Sequence, residues 1–271
     1  MRDALTCGMS LPPAQWMEIG FDVSYLAVIS ALVALMTARL AGAAPSQQEL
    51  LRRFRDGFLF LAIGDTGHVG FRVVALLRGG LETKVELAGA SVPLVGVGAL
   101  MTAITVTFLY LALLDAWRIR FNQPRQILFW WLMSLGVVRL LLFIPAQNQW
   151  GQVMPPLDWS IARNVPLAVL GLTVAGLMIR HGRRAVDTTF TWLGALILVS
   201  YAFYVPVILF VQRWAAIGVL MIPKTLAYLA MAGLVYARLF KPHGSYDTEQ
   251  RGQAALLPGL GVGHARGAGR P

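Results

Sequence analysis

The chain has 271 residues, of which 57% are hydrophobic and only 13% are charged, and its formal net charge is +10. Soluble domains carry about 25% charged residues and do not expose so much apolar surface, which excludes an ordinary soluble fold. The basic residues stand mostly at the ends of apolar segments and form no stripe with interleaved aromatic residues, so we expect no nucleic-acid partner.

Cysteine and histidine are sparse. The single cysteine, Cys7, allows no internal disulfide, and only His68 of the four histidines lies within an apolar segment. One buried histidine does not make a metal site, so the sequence predicts neither a metal nor another cofactor.

A transmembrane helix needs about 20 mainly apolar residues. Seven segments meet this requirement and predict an all-α membrane protein, a bundle of seven transmembrane helices. They are residues 23–43, 57–77, 92–114, 126–146, 160–179, 189–211 and 215–237. The predicted membrane domain covers residues 1–241. Residues 242–271 are rich in Gly, Pro and polar residues and are predicted to be a disordered cytoplasmic tail.

The orientation follows from the Lys and Arg residues of the connections. With seven spans, one side of the membrane holds twelve of them, and the other side holds five with several acidic neighbours. The positive-inside rule then predicts an extracytoplasmic N-terminus and a cytoplasmic C-terminus. The richer side has Arg39, Arg52, Arg53, Arg55, Arg118, Arg120, Arg125, Arg180, Arg183, Arg184, Arg238 and Lys241.

The first apolar segment has two interpretations. Residues 41–43, Ala-Gly-Ala, resemble a signal-peptide cleavage site. However, Glu18 and Asp22 precede the apolar run, where a signal peptide carries positive charge. We favour a retained helix.

Ionisable residues inside transmembrane helices are costly and mark candidate sites. Asp65, His68 and Arg72 have i, i+3, i+7 spacing, which places them within about 60° on one face of the second helix. At 1.5 Å per residue they lie about 12, 16 and 22 Å from the cytoplasmic side. Asp65 and His68 are the candidate catalytic residues if the protein is an enzyme, which the sequence leaves uncertain.

Other segments offer polar groups at similar depth, so we predict one polar cavity in the outer half of the bundle, open to the extracytoplasmic side. The candidate ligand-binding residues are Arg72, Thr102, Thr105, Arg139, Asn148, Arg163, Asn164, Tyr201, Tyr204, Lys224 and Tyr228.

The charge of this cavity indicates the ligand. Its residues include four cations and one carboxylate, Asp65, with Asp158 near the rim. Buried cations in surplus are unstable. An anionic small molecule or a lipid headgroup would correct the imbalance, as would water or loss of the Lys224 proton.

Each candidate also has a plainer interpretation. Asp65 could pair with Lys224 or Arg139 as a structural lock, and His68 could be a hydrogen-bonded core residue. Arg163 could extend to the lipid headgroups. Pro223 predicts a local break of the seventh helix at Lys224.

Six motifs resemble an uncharacterised family of bacterial seven-helix integral membrane proteins. They are residues 64–68 (GDTGH), 101–110 (MTAITVTFLY), 145–150 (PAQNQW), 163–166 (RNVP), 200–206 (SYAFYVP) and 220–225 (LMIPKT). The resemblance implies a multi-pass protein of the bacterial plasma (inner) membrane, with membrane lipids as partners, and implies no reaction.

Three functions follow from these residues. The first is binding, sensing or transport of an anionic small molecule or lipid headgroup. The second is a membrane-embedded lipid hydrolase or transferase, because residues 64–65 are faintly similar to lysoplasmalogenases and ceramidase-like hydrolases; those enzymes would show more histidines. The remote third is chromophore binding through Lys224, which stands where microbial rhodopsins carry their lysine.

Overall fold

The computed structural model describes residues 12–87 and 89–241. Within them lie seven α-helices and one small hairpin. The helices are α1 (Pro13–Leu40), α2 (Pro45–Leu77), α3 (Leu94–Arg120), α4 (Ile127–Leu141), α5 (Leu157–Arg184), α6 (Thr188–Phe210) and α7 (Met221–Val235). The antiparallel strands β1 (Lys84–Leu87) and β2 (Ala90–Pro93) connect α2 to α3, with Lys84 opposite Pro93. The predicted tail, residues 242–271, lies outside the described residues.

The α-helical membrane bundle predicted from the sequence is confirmed at this level. Six of the described helices are long and apolar enough to cross a membrane, judged by length and composition. The span of α7 reaches this length because a 3₁₀ segment (Ala215–Leu220) precedes it and a π-helical turn (Tyr236–Phe240) follows it. α4 is shorter than predicted, with 15 residues, or about 22 Å.

Local sequence sets several helix ends. Pro13 and Pro45 stand in the first turns of α1 and α2, where proline has no helical hydrogen bond to lose. Asp187 caps α6, because its side chain accepts a hydrogen bond of 3.1 Å from the Phe190 amide. Gly80 has a φ of +133° in the turn after α2, a conformation that favours glycine.

The core runs along the middle of the bundle. Each helix packs against the next in sequence, α3 also packs against α5, and α1 contacts α7, which closes the bundle. α2 and α3 lie close together, because Gly64 leaves room for the Thr105 side chain and Gly98 leaves room for the Gly67 backbone. Fully buried side chains from several helices fill the centre, among them Ile29, Phe58, Tyr110, Leu170 and Ile197.

The two ends of the bundle differ in their polar residues. The hairpin end carries β1, β2 and the connection between α4 and α5. The opposite end, the arginine end, is held by ion pairs: Asp115 binds Arg53 at 2.8 Å and Arg118 at 2.6 Å. Arg120 binds Asp187 at 2.8 Å.

Candidate functional site

The predicted site residues within the helices lie in the half of the bundle nearer the hairpin end, which we call the hairpin half. Asp65, His68 and Arg72 lie in the second half of α2, and Arg139 lies in the last turn of α4. Thr102 and Thr105 lie in the first half of α3, and Arg163 and Asn164 lie in the first half of α5. Lys224 and Tyr228 lie within the first eight residues of α7, and Tyr201 and Tyr204 lie within the last ten residues of α6. Asn148 lies in a 3₁₀ turn (Ala146–Asn148) beyond α4.

Asp65 is bound by hydroxyl groups. The Tyr25 hydroxyl of α1 donates to Oδ2, and the Thr102 hydroxyl of α3 donates to Oδ1 over 3.2 Å. In the described part of the chain, no ion pair within 4.0 Å joins Asp65 to Lys224 or Arg139. Asp65 therefore joins three helices through neutral donors, and the ion-pair form of the structural lock is wrong.

Arg72 has a carboxylate partner, Glu18, which precedes the predicted first transmembrane segment in the sequence. Its Nε donates to Oε1 of Glu18, because α1 begins at Pro13 and carries Glu18 and Asp22 within the helix. With Tyr25 they form an i, i+4, i+7 face that turns toward α2. The surplus of cations is smaller than four to one, because Glu18 compensates Arg72.

Arg139 is buried and is held by neutral acceptors. Its Nε donates to the Arg163 carbonyl at 3.0 Å and its Nη1 to Thr107 Oγ1 at 3.2 Å. Its Nη2 donates to Asn164 Oδ1 at 3.3 Å, and its guanidinium lies 5.3 Å from the centre of the Phe143 ring. Only 2% of the residue is exposed, so its charge is far from solvent and has no carboxylate among these contacts.

Arg163 is buried as well, and it does not extend to the lipid surface. Its Nη1 donates to Asn148 Oδ1 at 3.2 Å and its Nη2 to Ser160 Oγ at 3.1 Å. The guanidinium lies 4.4 Å from the centre of the Trp150 ring, a cation–π arrangement. Asn148 is fixed in turn, because its Nδ2 donates to the Leu142 carbonyl at 2.7 Å.

Lys224 lies against two tyrosine rings in the hairpin half. Its Nζ lies 4.3 Å from the centre of the Tyr204 ring and 5.5 Å from that of Tyr228. The helix break predicted at Pro223 lies earlier in the chain than expected. Proline fits the first turn of α7, and the irregular segment precedes it at Ala215–Leu220.

Tyrosine side chains connect these groups. The Tyr204 hydroxyl donates to Asn164 Oδ1 at 3.1 Å, next to Arg139. The Tyr110 and Tyr228 hydroxyl oxygens are 3.3 Å apart, and the Tyr201 hydroxyl donates to the Leu167 carbonyl at 2.7 Å. These residues of α1 to α7, from Tyr25 to Tyr228, make up what we call the polar cluster of the hairpin half.

Two candidates behave differently from the rest. Thr105 bonds back to its own helix, with Oγ1 donating to the Met101 carbonyl at 3.0 Å, so it serves helix packing. The Nδ1 atom of His68 is buried and has no hydrogen-bond partner in the described part of the chain. The hydrogen-bonded core interpretation of His68 therefore does not account for this atom.

The open cleft at the hairpin end is separate from the cluster. It has a volume of about 280 Å³ and is lined by Gln149, Gln152, Met154, Pro155, Pro156 and Gln212, none of which was a predicted site residue. The predicted residues pack against one another instead of lining this cleft.

Sequence reasoning missed several residues of the cluster. They are Glu18, Asp22, Tyr25, Thr107, Tyr110, Trp150 and Ser160. The helical spacing of Glu18, Asp22 and Tyr25 was the available signal, but it lies where the apolar run begins. Thr107 and Tyr110 stand within a quoted motif and were read only as part of it.

Comparison of the chain with protein-family models, with curated proteins and with solved structures gave no match. The resemblance to bacterial seven-helix membrane proteins therefore stays a prediction.

Proposed function

We propose that the protein binds, senses or transports an anionic small molecule or lipid headgroup at the polar cluster of the hairpin half. One observation carries this proposal. Arg139, Arg163 and Lys224 lie within the bundle, and their hydrogen bonds and ring contacts in the described residues go to neutral groups.

The charge balance supports an anion. Glu18 compensates Arg72, so three cations remain against Asp65 and Asp22. Both of these carboxylates lie on the α1–α2 side, whereas Arg139 and Arg163 lie between α4 and α5. Neutral acceptors lower the cost of burying a guanidinium but leave its charge uncompensated. An anion bound near Arg139 and Arg163 would supply the missing charge.

The location and orientation belong to the same proposal. The protein would be a multi-pass protein of the bacterial plasma membrane, with the arginine end in the cytoplasm, because positively charged connections are retained there. The hairpin half would then be open to ligands from outside or from the outer leaflet.

The alternatives have weaker support. For a lipid hydrolase or transferase, Asp65 and His68 would act together, but the described hydrogen bonds of Asp65 go to Tyr25 and Thr102. Among the described residues, no group of three or more His, Cys, Asp or Glu side chains could hold a metal ion. For a chromophore, Lys224 would need to form an adduct.

The experiment is a thermal-melting series on the purified full-length chain in detergent. Each sample contains sodium phosphate, sodium acetate or phosphatidylglycerol, with phosphatidylcholine as the uncharged comparison. A ligand at a hundredfold excess over its Kd stabilises the folded state by about 2.7 kcal/mol, which corresponds to about 5–10 °C in Tm for a chain of this size.

Lys224→Met should remove most of this rise in Tm. Lys84→Met is the matched control, because Lys84 is an exposed lysine of the hairpin at the same end of the bundle. Equal responses of the two variants, or no response of the wild-type chain to any anion, would contradict the proposal.

A further inference from the structure

A groove with a volume of about 430 Å³ lies between α1 and α2, and no residue of the polar cluster lines it. Its floor is formed by Val33 of α1 and Ala62 of α2, which are each 6% exposed, and by Met101 of α3. Exposed residues, among them Ala34 and Ile63, form its rim. The groove is therefore open to the surroundings of the protein, while its floor reaches the third helix.

Small side chains create this groove. Ser30 and Ala34 stand one turn apart on the same face of α1, and Ala62 faces the groove from α2. Gly67 lets the Met101 side chain rest against α2, because a Cβ atom at Gly67 would lie 2.6 Å from Met101 Sδ. Longer side chains at Ser30, Ala34 or Ala62 would occupy the space, so the sequence itself keeps the groove open.

The lining of the groove is mainly apolar. Of the described residues that line it, none is charged. The Thr66 hydroxyl donates to the Ala62 carbonyl of its own helix at 2.7 Å, so it needs no hydrogen bond from an occupant. A polar occupant would lose its hydrogen bonds to water here, whereas hydrocarbon has none to lose.

The groove lies at the depth of the lipid tails. It occupies the middle of α1 and α2, both of which are long and apolar enough to cross a membrane. On α2 it extends from Leu59 to Thr66, which is about 10 Å at 1.5 Å per residue. In a bilayer the exposed rim therefore faces hydrocarbon and not headgroups or water.

The size of the groove distinguishes between a lipid chain and a helix of a second copy. A helix with its side chains is about 10 Å in diameter, so a length of 10 Å fills about 800 Å³. The groove holds about 430 Å³, roughly half of that. A hydrocarbon chain is only about 4 Å wide, as the contact distance between carbon atoms indicates, so it can lie along the groove.

We propose that the groove between α1 and α2 binds an acyl chain of a membrane phospholipid. The contacts go to the chain, so the charge of the headgroup does not determine binding. This site is independent of the proposed function, whose ligand is recognised by its negative charge at the polar cluster.

The test uses the purified full-length chain in detergent, titrated with phosphatidylcholine that carries a photoreactive diazirine in one acyl chain. After irradiation, mass spectrometry of the peptides locates and counts the adducts. Labelling of residues 59–66 should saturate. Unlabelled phosphatidylcholine and phosphatidylglycerol should compete equally, within about twofold, because burial of the chain supplies the binding free energy. Labelling of the exposed apolar residues of α4, the reference, should rise without saturation.

Groove-filling variants test the position of the site. Ala34→Phe and Ser30→Phe each place a ring in the groove and should weaken the saturable labelling by at least about tenfold. Losing the burial of about two methylene groups already weakens binding by this factor. Leu35→Phe is the matched control, because Leu35 is 44% exposed on α1 and does not line the groove. It should leave the labelling within about twofold of wild type.

Four results would overturn the proposal. Labelling of residues 59–66 that does not saturate would indicate bulk lipid, and competition by phosphatidylglycerol alone would indicate headgroup binding. Equal labelling of Ala34→Phe and Leu35→Phe would place the chain elsewhere. Conversion of a dimer to a monomer by Ala34→Phe, seen by light scattering, would identify a second copy as the occupant. The Tm response to phosphate or acetate tests the proposed function separately, so the two failures are distinguishable.

Discussion

Arg139 and Asn164 meet through a hydrogen bond of 3.3 Å from Nη2 to Oδ1, and the same oxygen accepts from Tyr204 at 3.1 Å. A neutral amide therefore stands where a carboxylate would compensate the arginine. The arrangement orients the guanidinium and leaves its charge without a carboxylate partner among the described contacts.

Asn164→Asp should remove the response to anions. The new carboxylate would compensate Arg139 within the protein, so phosphate, acetate or phosphatidylglycerol should no longer raise the Tm. The Tm without ligand should stay close to wild type, because the new charge interaction offsets the lost bond from Asn164 Nδ2 to the Ser160 carbonyl, which measures 2.8 Å.

Asn164→Ala is the matched control for this charge change. It removes the acceptor without adding charge and should lower the free energy of unfolding by about 1–3 kcal/mol while the anion response persists. An Asp variant that still responds fully to anions would contradict compensation at Arg139.

Tyr25 and Asp65 should be energetically coupled. Tyr25→Phe removes the donor and Asp65→Asn weakens the acceptor, so the double variant should lose less stability than the two single losses combined. We expect a coupling energy of about 0.5–3 kcal/mol from thermal melting of the four proteins.

Ser24→Ala serves as the comparison on α1, because the Ser24 hydroxyl is exposed and bonds to the Gly20 carbonyl of its own helix at 2.7 Å. The loss of stability caused by Ser24→Ala should add to that caused by Asp65→Asn. Additivity of Tyr25→Phe with Asp65→Asn would show that the hydrogen bond does not hold α1 to α2.

The close approach of α2 and α3 depends on Gly98. A Cβ atom there would lie 2.8 Å from the Cα of His68, which is too short for two carbon atoms. Gly98→Ala should therefore force the helices apart and destabilise the protein by about 1–3 kcal/mol.

Gly70→Ala is the control within α2, because the nearest atom to its Cβ would be a Leu26 methyl group at 3.9 Å, an ordinary contact. It should change the stability by less than about 0.5 kcal/mol. Equal Tm values for the two variants would contradict tight packing at Gly98.

The proposed orientation has a direct measurement. A reporter fused after Lys241 should report the cytoplasm, and one inserted at Glu82, in the turn before β1, should report the outside. The reverse result would place the hairpin half on the cytoplasmic side and change the source of its ligand.

The helices were predictable because long apolar runs have few other stable forms in lipid. The contribution of α1 to the site was not predictable, because hydropathy locates the apolar stretch and does not locate the end of the helix. Glu18 and Asp22 precede that stretch, yet α1 begins at Pro13 and directs Glu18 toward Arg72. The partner of Arg72 depends on how α1 is rotated about its axis, and hydropathy does not determine this.

The helices that carry Asp65, Arg139 and Lys224 were also predictable, because each residue stands inside an apolar segment. The hydrogen-bond and ion-pair partners of these residues were not predictable. Asp65 could have bound Lys224, Arg139 or hydroxyl groups, and the choice depends on side-chain packing between α1, α2 and α3. For the same reason, it was not predictable that His68 Nδ1 would stay unpaired.

The short α4 has a consequence for the surrounding bilayer. Its 15 residues span about 22 Å, whereas the hydrocarbon layer is about 30 Å thick. A spanning helix of this length would be accommodated by local thinning of the membrane or by polar side chains near its end that extend to the interface. Arg139 lies in the last turn of α4, so in a thinned bilayer the lipid headgroups would lie closer to the α4–α5 side of the cluster than to its other sides.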